Sequence, residues 1–468
     1  MTPPSNAHRR VRVRAVAAVG AFALGLLACE RPPVDMRPSL LLVSVDTLRA
    51  DALSPYGGSV PTPTFERLAR EGVLFEQAYA AASETAPSHA TLFTGLEALR
   101  HGVSRNGVDL PADAATLAKA MRTAGYSTAA FVSSFVLDPR FGWREGFDVY
   151  DARFPESGST MQKDRRYPGA IWDDASFEGL DRRAGATVRA ALEWLASAEP
   201  PYFLFVHLFD PHGPYVPPPE HLAPLASQRF GVDGRSVPGR SAAQLEQLIR
   251  RYHAEVAYVD RELGRLVDAV HGSGSAPPPL VVVTADHGEG LGDHGHMEHS
   301  LHLYEEQLRV PLVFLWRDVL GSGLRIGTPV GLVDVAPTIL ELLGLAPLPD
   351  ADGRSLAASL RDGTEPAMRP VFGDRRAFSE SYPPPRGPQT TVRIGDWRYT
   401  RRAGARDELY DLANDPGERT NLVLDRATTT NAMAQVVLDY RARMPAPDEV
   451  PELGEAERAQ LRAMGYVE

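Results

Sequence analysis

Two carboxylates and an imidazole, each standing where an apolar run stops, are the groups of this chain best placed to do chemistry. Asp46 ends the run Ser39 to Val45, and Asp286 follows Val-Val-Val-Thr-Ala and leads into His287 and Gly288. A carboxylate at a partly buried strand end needs hydrogen bonds or a cation. No lysine or arginine directly follows either run, Arg49 being the nearest, so a divalent metal suits the set better than a salt bridge. Taken alone, Asp286-His287 also reads as a hydrogen-bonded pair in a structural turn; Asp46 tips the reading toward metal. Zinc suits the histidine-containing set, while manganese and calcium are compatible with its oxygen ligands. Either one or two ions can be accommodated by these residue types.

Thr85 precedes Pro87 and a helical stretch running through His89 to Thr94, so its hydroxyl belongs near a helix N-terminus, where backbone amides favour an anion. A free alcohol is a poor nucleophile at neutral pH, and metal coordination lowers its effective pKa. In isolation, Thr85 and Ser88 read as helix caps, the commoner role for such residues. Around them stand histidines suited to protonate a leaving group or hold a second metal: His212 and His299 foremost, then His294, His296 and His302. Asn106, in His-Gly-Val-Ser-Arg-Asn-Gly, is either an amide donor to a substrate oxygen or a turn residue before Gly107.

The elements that must position these groups repeat one grammar. Apolar runs at Ser39 to Val45, Ser127 to Val132, Tyr202 to Leu208, Leu280 to Thr284 and Val310 to Leu315 alternate with helical periodicity at Ala115 to Thr123, Arg183 to Ser197 and Ala242 to Val270. This alternation predicts an α/β fold: a large, mostly parallel sheet covered by helices on both faces, with chemistry at the carboxyl ends of its strands. Asp46, the His207 to His212 segment and Asp286-His287 should then face one cleft. Segments 150–180 and 213–241, rich in Pro and Gly, read as long loops over its mouth. From about Gly353 short alternating segments predict a small antiparallel sheet and a helix from about Thr429 to Arg443. The expected organisation is a catalytic domain at 39–352 and a small C-terminal α+β subdomain at 353–468.

The N-terminus carries an address. Arg9, Arg10, Arg12 and Arg14 precede an uncharged apolar run, Ala15 to Ala28, too short to span a bilayer comfortably and ending in Leu-Leu-Ala-Cys. Residues 1–28 therefore read as a lipoprotein signal peptide, 29–38 as a tether, and Cys29 as an acylated anchor to the bacterial cell envelope. Cys29 is the one cysteine, so the folded part has no disulfide and no thiol nucleophile. The chain has 49 Lys and Arg against 60 Asp and Glu over 468 residues, a net charge of −11, and the signal carries basic residues but no acidic ones. That balance excludes a nucleic-acid partner and leaves a polyanion favoured only where a pocket is locally positive.

The motifs together resemble the sulfatase family of the alkaline phosphatase superfamily. LLLVSVDTLRAD, TAPSHATLFTG, HGVSRNG, FVHLFDPHGPYVPP, VVVTADHGEGLGDHG, VDVAPTILELLG and ELYDLANDPGERTNL occur in the family's order over nearly all of the chain after the signal. The resemblance implies a mixed central sheet with a small four-stranded sheet beside it. It makes Asp46, Asp286 and His287 metal ligands, gives Thr85 the nucleophile position in contact with the metal, puts His212 and His299 by the leaving group, and has Asn106 touch the substrate anion. Three departures matter. Asp46-Thr47 replaces a pair of aspartates, and His89 replaces an arginine that supports the modified nucleophile. Thr85 stands where cysteine or serine would be converted to formylglycine, which threonine cannot yield.

These readings converge on a metal-dependent hydrolase or transferase of phosphate or sulfate esters, with in-line attack by metal-activated Thr85 and phosphoryl chemistry favoured. The substrate would be a small molecule or a glycan or lipid-headgroup ester. One alternative keeps sulfate ester hydrolysis without formylglycine, although a sulfated threonine has no hemiacetal route for expelling sulfate. Another is an inactive, lipid-anchored binding protein.

Overall fold

Strands that are apolar on both faces need a covered, two-edged position, and the centre of this fold supplies it. The computed structural model describes residues 37–154, 180–272, 277–376 and 387–444, together with 1–2, 454–455 and 459. The expected signal peptide, Cys29 and most of the tether lie outside the described residues, as does most of the 150–180 segment.

The large sheet contains β1 (Leu40–Val45), β2 (Val73–Tyr79), β3 (Ser127–Phe131), β4 (Val149–Asp151), β5 (Tyr202–Leu208), β6 (Leu280–Ala285), β7 (Arg309–Leu315), β8 (Leu324–Ile326) and β9 (Val330–Gly331). Their order is β4-β3-β5-β1-β6-β7-β2-β8, with β9 also on β2. Every pairing is parallel except those of β7, which is antiparallel to both β6 and β2. The segment after β6 stays at the end where that strand emerges, so β7 must run back. The sheet is therefore mixed but mostly parallel.

Register places the chemistry. β1 lies between β5 and β6, with Val45 opposite both Leu208 and Ala285. The next residues, Asp46 and Asp286, consequently leave the sheet side by side. Every residue of β1, β5 and β6 is buried, and a helical layer covers each face. α1 (Pro63–Glu71) and α4 (Ala184–Leu195) pack with the long helix Ala242–Gly272, while α2 (Thr85–Thr94) packs with α3 (Leu117–Thr123) and the helix Val335–Leu342.

Beyond it, β10 (Val371–Arg375), β11 (Gln389–Ile394), β12 (Trp397–Arg402) and β13 (Glu408–Asp411) form the small sheet, antiparallel throughout. Met433 and Val437 of the helix Ala427–Arg443 pack on its Val392, Tyr399 and Leu409. Leu356, Ala357 and Leu360 belong to the large core, so the small sheet itself starts only at Val371.

Candidate active site and metal centre

Asp46 comes directly off β1, its amide still bonded to the Leu208 carbonyl at 2.9 Å. Thr47 then turns the chain with φ 53°, a left-handed conformation that a β-branched residue adopts only under restraint. The restraints are visible: the Thr47 amide donates to Asp286 Oδ1 at 3.2 Å, and Tyr252 Oη donates to the Thr47 carbonyl at 2.8 Å. Asp286 Oδ1 also accepts from the His287 amide at 2.8 Å. Gly288 lets this strand end lie against the following segment, because a Cβ there would stand 2.0 Å from the Glu306 carbonyl oxygen.

Thr85 is the first residue of α2, after an extended Glu84, and the whole helix is buried. Ser88 Oγ ties it to strand β6 by donating to the Asp286 carbonyl at 2.6 Å. The Thr85 hydroxyl thereby comes to 3.3 Å from His287 Nε2. His287 Nε2 is 3.5 Å from Asp286 Oδ2 and 3.8 Å from Asp46 Oδ1. Neighbouring ligands on a tetrahedral ion bound at about 2.0–2.2 Å are separated by roughly 3.3–3.6 Å, so these residues fit a divalent cation. Asp46 Oδ1, Asp46 Oδ2 and Asp286 Oδ2 are buried without a hydrogen-bond partner of normal geometry, and the nearby Thr85 hydroxyl only eases the charge on Asp46. Burial, then the neighbouring Asp286 and Glu289 carboxylates, holds Asp46 well above the ordinary carboxylate range, and burial raises Asp286 to about 6. A cation would reverse both effects. His287 is ready to ligate: its Nδ1 lies 3.0 Å from the Gly288 carbonyl and burial lowers its pKa to about 3, leaving Nε2 a lone pair.

Asn106 stands over the first turn of α2. Its Oδ1 accepts from the Ala86 amide at 2.8 Å, while its buried Nδ2 has no protein partner. The turn reading and the amide-donor reading are therefore compatible at one residue. His212 and His299 are buried with ring centroids 4.9 Å apart, and His299 is 4.5 Å from the His287 ring. Burial lowers both to about 3. His212 Nδ1 lies 2.7 Å from the Gly213 carbonyl. His299 Nδ1 is 3.2 Å from Oε1 of Glu289, a carboxyl raised to about 7 by burial and bonded to Tyr215 Oη at 3.1 Å.

The weaker histidines are elsewhere. His294 pairs with Glu306 at 3.0 Å and stacks on Tyr304, and His296 and His302 pack on each other. Arg49 turns away to Asp51 and Asp293. A cavity of about 830 Å³ opens beside Arg49, Asp293, His294, Glu305 and Arg393, but none of Asp46, Thr85, Asn106, His212, Asp286, His287 and His299 lines it. Sequence reasoning passed over Glu289, two residues after His287, and gave no role at the centre to His207. His207 is fully buried with Nε2 3.4 Å from Asp46 Oδ2. Its signal was an imidazole inside an otherwise apolar strand.

A buried hydroxyl at a helix N-terminus thus faces paired carboxylates and an imidazole at the ends of a mostly parallel sheet, a group that offers the donor atoms of a divalent-cation site. Residues 38–345 match the family described as Sulfatase, and residues 292–443 match N-sulphoglucosamine sulphohydrolase, C-terminal. The chain belongs to the sulfatase family. It is 28% identical to the choline-sulfatase of Rhizobium meliloti over 84% of this chain and 85% of that one. It is 27% identical to PehA of Trinickia caryophylli, a multifunctional alkaline phosphatase superfamily protein, over 86% and 94% of the two chains. The solved phosphonate monoester hydrolase of Agrobacterium radiobacter matches with a TM-score of 0.71 at 26% identity, covering 90% of this chain and 99% of that one.

Proposed function

We propose that this protein hydrolyses anionic esters by direct attack of the unmodified Thr85 hydroxyl, with phosphoryl esters preferred over sulfate esters. The observation that carries the reading is the Thr85 hydroxyl itself, 3.3 Å from His287 Nε2 at the first turn of α2. Asp46, Asp286 and His287 would hold the cation, zinc by donor set or else manganese or calcium; when bound it supplies positive charge against the paired carboxylates and lowers the pKa of the adjacent hydroxyl.

The steps on the protein's side balance. Thr85 Oγ gives up its proton to water and forms a bond to phosphorus as the bond from phosphorus to the leaving oxygen breaks in line, and that oxygen takes a proton from protonated His212 or His299. Water, or an acceptor alcohol if the enzyme transfers, then gives its proton to the same imidazole as its oxygen bonds to phosphorus and displaces Thr85, whose oxygen regains a proton from solvent. Neutral His212 and His299 become donors once an anionic ester raises their pKa. The Asn106 amide, whose Nδ2 is buried without a partner, would bind a nonbridging oxygen. Phosphoryl chemistry is favoured because a phosphothreonine yields to water, whereas a sulfothreonine lacks the hemiacetal route that formylglycine provides.

A phosphonate monoester hydrolase and a multifunctional superfamily member among the relatives support this substrate class. Sulfate ester hydrolysis is the second reading, supported by the similarity to a choline-sulfatase. Cys29, behind Leu26-Leu27-Ala28, would tether the enzyme to the cell envelope; radiolabelled palmitate incorporated by the full chain and lost in Cys29→Ala tests that. Phosphate monoesters, phosphate diesters, phosphonate monoesters and aryl sulfates, offered to wild type and Thr85→Ala, test the reaction. Equal turnover by the two proteins would remove Thr85 as nucleophile, and turnover of sulfates alone would reverse the preference.

A further inference from the structure

Behind the Thr85 carbonyl lies a second group of ligand atoms that the reaction above does not use. His89, one turn into α2, and His207, near the end of β5, are both fully buried, with ring centroids 5.1 Å apart. Ligand atoms of His89, His207 and Asp286 lie within 4.8 Å of one another, as do those of Asp46, Asp286 and His287. The two groups meet at the carboxylates. Asp46 has Oδ1 3.8 Å from His287 Nε2 and Oδ2 3.4 Å from His207 Nε2. Asp286 Oδ2 is 3.5 Å from His287 Nε2 and 3.7 Å from His89 Nδ1.

A purely structural role for the pair is expensive. In the cation-free fold His89 Nδ1 donates to the Thr85 carbonyl at 2.8 Å and must give up that proton to ligate, while its Nε2 and both ring nitrogens of His207 are buried without a hydrogen-bond partner. Each such atom costs about 1–3 kcal/mol in a protein interior. The surroundings are aromatic, with Phe205 and Trp143 edge-on to His89, so apolar residues would fill the same space at no such cost. The separation of His207 Nε2 from Asp46 Oδ2 equals a ligand–ligand edge on a tetrahedral ion, roughly 3.3–3.6 Å. An arginine at position 89 would bring a fixed positive charge; a histidine brings a lone pair.

We propose that His89 and His207 hold a second divalent cation of the zinc type, with Asp46 and Asp286 bridging it to the ion beside Thr85. The donor set of two imidazoles and two carboxylates selects zinc or its transition-metal surrogates over calcium and magnesium. The inference deepens the metal-dependent reading of this site and rests on it. Paired ions would hold the two buried carboxylates deprotonated side by side and add positive charge behind the N-terminus of α2.

Metal content of the purified full chain, measured by plasma mass spectrometry after zinc loading and desalting, tests the proposal. Two ions per chain are expected in wild type, one in the doubly substituted His89→Gln/His207→Gln protein and one in His207→Phe, which fills the vacated volume. One ion in wild type, or two retained in folded substituted protein, overturns it. Should the substitutions prevent folding, manganese-loaded wild type decides: an exchange-coupled dimanganese signal is expected in electron paramagnetic resonance, and the isolated six-line spectrum overturns the proposal. Thr85→Ala should keep both ions. If it also keeps its turnover, the nucleophile reading fails while the second site stands.

Discussion

The Thr85 hydroxyl lies 3.3 Å from Nε2 of His287, whose other ring nitrogen is fixed 3.0 Å from the Gly288 carbonyl. The imidazole therefore cannot turn away, and both groups address one point between Asp46 and Asp286. On the proposed mechanism, removing the hydroxyl removes the attacking atom, with little change in packing. Thr85→Ala should lower kcat by about 10⁴-fold or more, whereas Thr85→Ser should stay within roughly 100-fold of wild type. Steady-state kinetics on an aryl phosphate diester measure both, and equal losses in the two variants would contradict the assignment.

Asn106 Oδ1 caps the Ala86 amide, and on the proposed mechanism its buried, unpaired Nδ2 binds the substrate. Asn106→Ala loses both: kcat should fall about 10²–10³-fold and stability by about 1 kcal/mol. Asn106→Asp keeps the acceptor and loses the donor. Its kcat should fall as far while its Tm drops less, which paired kinetics and thermal melts would show.

Much of this site was legible because the sheet is. Asp46 and Asp286 stand out as carboxylates after strands whose apolar runs are unbroken, and parallel register then obliges them to meet at Val45 and Ala285. β2 was less legible, because Glu76 and Gln77 interrupt its apolar residues at an irregularity between Phe75 and Ala78. The antiparallel direction of β7 is set by the path of the segment after β6, which no local pattern records. His207 was weighed only with the strand-end histidines, since periodicity does not reveal that it faces Asp46. Glu289 stands between two glycines with no local pattern to mark it, and its contact depends on His299 folding back onto it.

Metal removal should be felt differently at different pH. In the cation-free fold, Asp286 titrates near 6 and Asp46 well above the ordinary range, both chiefly through burial. Raised carboxyl pKa values favour the fold below the unfolded value and lose that contribution as pH rises through the folded one. The bound form keeps these carboxylates ionised against the cation, and His287, lowered to about 3 by burial, does not titrate in this window. The drop in Tm on chelation should therefore be small at pH 5 and large at pH 8. A drop independent of pH would contradict the assignment of Asp46 and Asp286 as ligands.

Arg398 joins the small sheet to the segment that follows His299. Almost fully buried, it donates to the Leu303 carbonyl at 2.9 Å and to Glu305 Oε1 at 2.6 Å, with Nε 3.3 Å from Glu418 Oε1. Arg393 also reaches Glu305, at 2.8 Å, so Glu418 depends more heavily on Arg398. Burial raises Glu418 to about 8 even with the guanidinium beside it. At about pH 9, above that value, Arg398→Met would leave an ionised Glu418 without its counter-charge, and breaking such a pair from one side costs about 3–5 kcal/mol. Glu418→Gln placed on Arg398→Met should restore at least about 1 kcal/mol, because the amide needs no counter-charge. Denaturant melts of the two single substitutions and the double would show that coupling, and purely additive losses would mean that Arg398 acts through packing alone.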